Sequence, residues 1–125
     1  MVARRYLRDV NYLLVAVFGG AGAVCRYGVT QILGQRPFPL ATLVVNVAGC
    51  FALGVVIAWG ETRWSAATVA AAGAGFLGAF TTFSTFAVDS VFLAERSRPG
   101  LAVLNVVLSV GLGLLAALAG RTVAS

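Results

Sequence analysis

Five hydroxyl or carboxylate side chains of this chain lie within nine residues. Thr81, Thr82, Ser84, Thr85 and Asp89 alternate there with Phe83 and Phe86, just after Phe80. Hydroxyls donate and accept hydrogen bonds, and an aromatic ring has a positive edge. Elsewhere Thr42 and Asn46 stand four residues apart, as do Asn105 and Ser109. On a helix each pair shares a face. Arg26 and Asp89 are the charged residues inside apolar runs. Together these groups can solvate an ion through hydrogen bonds and dipoles. Their donors suit a small, strongly hydrated anion better than an organic cation, but the same groups include acceptors, so composition leaves the sign open. Bond-making chemistry has no footing. There is no His, and no nucleophile–base pair for an enzyme to use. Cys25 and Cys50 lack metal-ligand spacing, so a zinc or copper site is also unsupported.

The elements that hold these residues follow from composition. Of 125 residues, 60% are hydrophobic and 10% charged, with a mean hydropathy of +0.96. Soluble domains carry about 25% charged residues, so a soluble enzyme or binding module is excluded. The apolar runs are 11–33, 40–59, 65–94 and 101–120, each above the roughly 18 residues a spanning helix needs. Residues 1–125 thus read as a single four-span membrane domain. The first run is too long, and interrupted by Arg26, to be a cleaved signal peptide. Trp59 and Trp64 flank a loop, as residues of an interfacial belt do. Both cysteines lie in apolar runs and act as small hydrophobes, not as a disulfide pair.

The third run is too long for one straight crossing. Its 30 residues make about 45 Å of helix against a hydrocarbon core of about 30 Å. Gly73, Gly75 and Gly78 fall within six residues and are followed by clustered Thr, all poor helix formers. The pattern predicts a break near 75–82. Non-helical backbone at membrane depth needs cover from protein or a wet cavity, so the break marks a functional region.

All nine basic residues are Arg, and with four acids they set a net charge of +5. All but Arg26 lie at the ends of apolar runs or in short loops and form no stripe, which argues for lipid headgroups and against nucleic acid. With four spans, Arg4, Arg5, Arg8, Arg63 and Arg121 share one side; Arg36, Arg96 and Arg98 share the other. Five against three is a weak positive-inside bias, compatible with termini inside or with insertion both ways round. Small residues recur every four positions in Ala66, Ala70, Ala74 and Gly78, and in Ala67, Ala71, Gly75 and Ala79. Gly19, Gly20, Gly22 and Ala23 add a third small surface. Such ladders let helices approach closely, within a bundle or between two copies. The polar residues have plain readings too. Arg26 either snorkels or attracts an anion. Asn46 either bonds a neighbouring helix or faces an ion, and an isolated Ser or Thr often bonds its own i−4 carbonyl.

Three segments together resemble the Fluc (CrcB-type) fluoride channels. They are Gly75-Phe76-Leu77-Gly78-Ala79-Phe80-Thr81-Thr82-Phe83-Ser84-Thr85-Phe86, the span 1 run from Gly19 to Tyr27, and the span 2 run from Thr42 to Gly49. They occur in family order, and the match covers essentially the whole chain. The resemblance implies an all-α membrane protein, with four transmembrane helices per subunit and the third broken mid-membrane, assembled as an antiparallel dual-topology homodimer with two pores. It implies passive, selective fluoride export across a microbial plasma membrane, in bacteria the inner membrane. Phe83 and Phe86 would turn ring edges to the ion, with Asn46 as pore amide and Ser109 as hydroxyl. Thr82, Ser84 and Thr85 would belong to a polar track. The backbone carbonyls of Gly78 and Thr81, from both subunits, would hold a structural Na⁺. Arg26 and Asp89 would stand at a vestibule.

Two positions depart from the family pattern. Asn105 replaces an expected Tyr, so the span 4 contact rests on the ability of Asn to donate. Asp89 replaces an expected Glu, keeping the charge with one methylene less reach. A small proton-coupled multidrug exporter is the alternative, although it would need a carboxylate in span 1, where this chain has Arg26. A non-transporting assembly subunit is a third reading.

Overall fold

The computed structural model describes residues 2–125, with side chains from Asn11 onward. Its elements are α1 (Val2–Leu33), α2 (Leu40–Gly60), α3 (Ala66–Val69), a π-helical segment (Ala70–Leu77), α4 (Gly78–Phe80), α5 (Phe83–Glu95) and α6 (Pro99–Ala124). The chain is all-helical over the described residues. Four stretches are long and apolar enough to cross a membrane: Asn11–Leu33, Leu40–Thr62, Ala66–Glu95 and Pro99–Ala124. Each matches an apolar run of the sequence. The fourth begins earlier than its apolar run because Pro99, with its fixed φ, opens α6. Arg4, Arg5 and Arg8, which weigh most in the charge bias, lie outside the residues described with side chains.

Local chemistry explains the ends. Gly34 takes a left-handed φ of +64° and closes α1, its N–H donating to Thr30 O at 3.0 Å. Ser65 caps α3 by accepting the Thr68 N–H at 3.2 Å. Trp59 and Trp64 meet edge to face across the α2–α3 turn, 5.4 Å between ring centroids.

The third span is broken, but later and more narrowly than its composition predicts. The glycine-rich stretch stays helical in wider π turns, with the Gly78 N–H reaching back five residues to Gly73 O. Only Thr81 and Thr82 are extended, at φ −82°, ψ 160° and φ −151°, ψ 111°. The helix survives because its small residues serve close approach. The π-helical segment packs on α1, and a Cβ at Gly22 would overlap the carbonyl oxygen of Phe76. Such backbone contact offsets the roughly 1 kcal/mol that each helical Gly costs relative to Ala.

α2 lies along α6, and α5 packs on α6. The buried apolar set among the described residues is small: Leu43, Val45, Val56, Ala58, Ala71, Leu77 and Leu93. Large apolar side chains such as Ile32, Leu114 and Leu118 stand exposed, as on a surface bathed by lipid. The two small-residue ladders of the third span divide. Ala71 and Gly75 are buried toward the bundle, whereas Ala66, Ala74 and Gly78 are exposed.

Candidate ion pathway at the broken third span

The break is held open from span 2. Asn46 Oδ1 accepts the Thr82 N–H at 2.8 Å, and Asn46 Nδ2 donates to Thr82 O at 3.0 Å. The amide thus replaces helical partners of both backbone groups of one residue and keeps a second N–H in reserve. Below the break, Thr81 folds back, its N–H and Oγ1 both donating to Leu77 O at 3.0 and 2.9 Å. Gly49 on α2 leaves room for the Thr81 methyl group, which a Cβ there would displace. Above it, Thr82 Oγ1 caps α5 by accepting the Thr85 N–H at 3.2 Å and donates to Thr85 Oγ1 at 3.0 Å. Ser84 Oγ lies 3.3 Å from the same hydroxyl.

The break also splits the helix dipole. α4 ends in carbonyls, and Arg26 from α1 donates its Nε to Ala79 O at 3.0 Å. A cation beside a helix C-terminus is electrostatically favoured. Arg26 therefore turns to the break and does not extend freely to the surface. The N-terminal end of α5, with its positive dipole end, opens on the other side.

Beside the break is a side-open cavity of about 310 Å³. Asn46, Gly78, Thr81, Phe83, Phe86 and Ser109 line it, with Leu53, Leu77 and Val110 among its apolar walls. The Phe83 and Phe86 rings lie 5.6 Å apart and are tilted by 53°. Phe83 is 79% exposed, so the cavity is open on that side.

The remaining candidates lie elsewhere. Thr82, Ser84 and Thr85 bond to one another at the start of α5 and are absent from the cavity wall. Asn105 is fully buried between α5 and α6, donating to Ser90 Oγ at 2.9 Å, while Ser90 donates to Phe86 O at 2.8 Å. Its Oδ1 is 3.5 Å from Ser109 Oγ, the limit of a hydrogen bond. Asn105 thus reaches the cavity only through Ser109. Sequence reading missed Ser90; its spacing of four from Phe86 was the available signal. Asp89 accepts the Thr42 hydroxyl at 2.8 Å and lines a second cavity with Arg36, Arg96 and Arg98.

Gly78 O and Thr81 O lack helical partners, since the Thr82 N–H goes to Asn46 and the Thr85 N–H to Thr82 Oγ1. Free carbonyl oxygens are hard ligands of the type that Na⁺ takes, so these two residues fit such an ion.

A family profile described as CrcB-like protein, Camphor Resistance (CrcB) matches residues 13–121. The chain belongs to the CrcB family. Among its CrcB relatives, the fluoride-specific ion channel FluC of Deinococcus radiodurans is 45% identical over 115 residues, 88% of this chain and 91% of its own. FluC 1 of Natronomonas pharaonis is 46% identical over 112 residues, 88% and 90% of the two chains. FluC 2 of Listeria innocua is 39% identical, covering 88% and 87%. A CrcB chain with four spans is a multi-pass membrane protein. The multidrug exporter finds no support in these matches.

Proposed function

We propose that this CrcB chain is a passive, fluoride-selective channel that exports fluoride from the cytoplasm and relieves its toxicity. The observation that carries the reading is the broken third span, which sets Phe83 and Phe86 beside Asn46 and Ser109 in one cavity. Fluoride is small and holds its water tightly, so a pore must replace hydration with closely placed donors. The second Asn46 N–H, the Ser109 hydroxyl and the ring edges of Phe83 and Phe86 are such groups. HF crosses a membrane, ionises at neutral pH and is trapped as fluoride, which a passive path then releases. Nothing in this reading calls for an enzyme.

Two copies, packed antiparallel, form the working unit. The exposed ladder of Ala66, Ala74 and Gly78 and the exposed Phe83 support this, because a second copy would close the open cavity wall. Gly78 and Thr81 carbonyls from both subunits would hold a structural Na⁺ between them. The assembly sits among lipids of the cell membrane, the inner membrane in a bacterium. The test is ion efflux from liposomes carrying the purified protein. Fluoride should leave rapidly and chloride stay behind; equal fluxes of the two would overturn the reading.

A further inference from the structure

We propose a second site, at the turns joining α1 to α2 and α5 to α6, that binds the phosphate of an anionic phospholipid. Arg36 follows α1, while Arg96 and Arg98 lie between α5 and α6. All three line one cavity of about 480 Å³, which shares no residue with the cavity at the break. Asp89 is the acid in its wall, and it is engaged by the Thr42 hydroxyl. Among the described residues none of the three arginines is in an ion pair; the ion pair present, Arg121 with Glu61, lies at the other end of the bundle. Arg36 uses its Nε on Leu33 O, leaving both terminal nitrogens as donors. Arg96 rests over the Phe92 ring, 5.8 Å from its centroid. Guanidinium groups match phosphate oxygens in bidentate geometry.

The surroundings favour a lipid over a free phosphate. Both turns are span ends, at headgroup level, and basic pockets between spans there take anionic headgroups. Phe92 and Leu93 contribute apolar wall, and Val88, Val91 and Phe92 continue it as an exposed strip down α5. Inorganic phosphate has no use for such a strip, whereas an acyl chain would cover it.

Native mass spectrometry of the full protein tests this with dioleoyl phosphatidylglycerol, dioleoyl phosphatidylcholine and inorganic phosphate as probes. Phosphatidylglycerol should be retained about tenfold more than phosphatidylcholine. The triple substitution Arg36→Gln, Arg96→Gln and Arg98→Gln should abolish that preference, and Arg98→Gln alone should reduce it. Fluoride efflux from phosphatidylcholine liposomes should stay at the wild-type rate. Equal retention of both lipids, or retained preference in the triple variant, overturns the site. Displacement of the lipid by millimolar inorganic phosphate overturns the lipid assignment. Loss of efflux in the neutral liposomes does so too, because the arginines would then serve the conducted ion. Binding is read apart from conduction, so failure here leaves the channel reading standing.

Discussion

Asn46 and Thr82 exchange two hydrogen bonds across 36 residues of sequence, at 2.8 and 3.0 Å. One side-chain amide thereby stands in for the helix that is missing at the break. Asn46→Leu deprives both backbone groups of a partner and should cost about 1–3 kcal/mol of stability. Asn46→Asp keeps the acceptor, loses the donor and adds a negative charge beside the cavity. Its fluoride efflux should fall at least about tenfold, equal to about 1.4 kcal/mol on the barrier. Thermal unfolding in detergent and efflux from liposomes measure the two effects. Unchanged efflux in Asn46→Asp would place the ion elsewhere.

Phe83 tests whether the rings serve the ion or the fold. It is 79% exposed on the subunit, so truncation removes little internal packing. Phe83→Ile should lower fluoride efflux by about tenfold or more while the protein elutes as wild type, because an aliphatic chain has no positive edge. A variant with normal flux would remove Phe83 from the pathway.

Sodium should matter to stability. Replacing Na⁺ with N-methylglucammonium should lower the unfolding temperature of the protein and reduce fluoride efflux, if Gly78 and Thr81 carbonyls hold the ion. Identical melting with and without Na⁺ would free those carbonyls of that role.

Gly22 and Gly20 form a matched pair of substitutions on α1. A side chain at Gly22 meets the Phe76 backbone, whereas nothing lies within 4 Å of a Cβ at Gly20. Gly22→Val should destabilise by about 3 kcal/mol or more and reduce the folded yield. Gly20→Ala should be neutral or stabilising by up to about 1 kcal/mol, from helix propensity. Unfolding curves of both variants decide it, and equal effects would mean that α1 does not pack as described.

Ser90 and Asn105 should couple weakly. Their hydrogen bond is 2.9 Å long and partly buried between α5 and α6. Such bonds in membrane proteins average about 0.6 kcal/mol and reach about 1.7. A double-mutant cycle with Ser90→Ala and Asn105→Ala should fall in that range; zero coupling would mean that the two side chains do not meet.

The sequence alone determined the four spans, their order and the membrane environment, because hydropathy is a local sum over about 20 residues. It also located the third-span irregularity and its hydroxyl–phenylalanine run. Tertiary structure decided how those residues are used. The glycines at 73, 75 and 78 look like helix breakers by propensity, yet the stretch stays helical, Gly75 against Val15 and Phe18 of α1 and Gly73 against Leu53 and Val56 of α2, and leaves Thr81 and Thr82 as the break. Asn105 looks like a lining residue beside Ser109, but α5 supplies Ser90 and draws it inward. Arg26 finds its carbonyl partner 53 residues away, and only one of two similar ladders faces the bundle. Each choice depends on which helix faces meet. Residue types and spacing constrain a face only within its own helix; the partner across the bundle is set when all four pack.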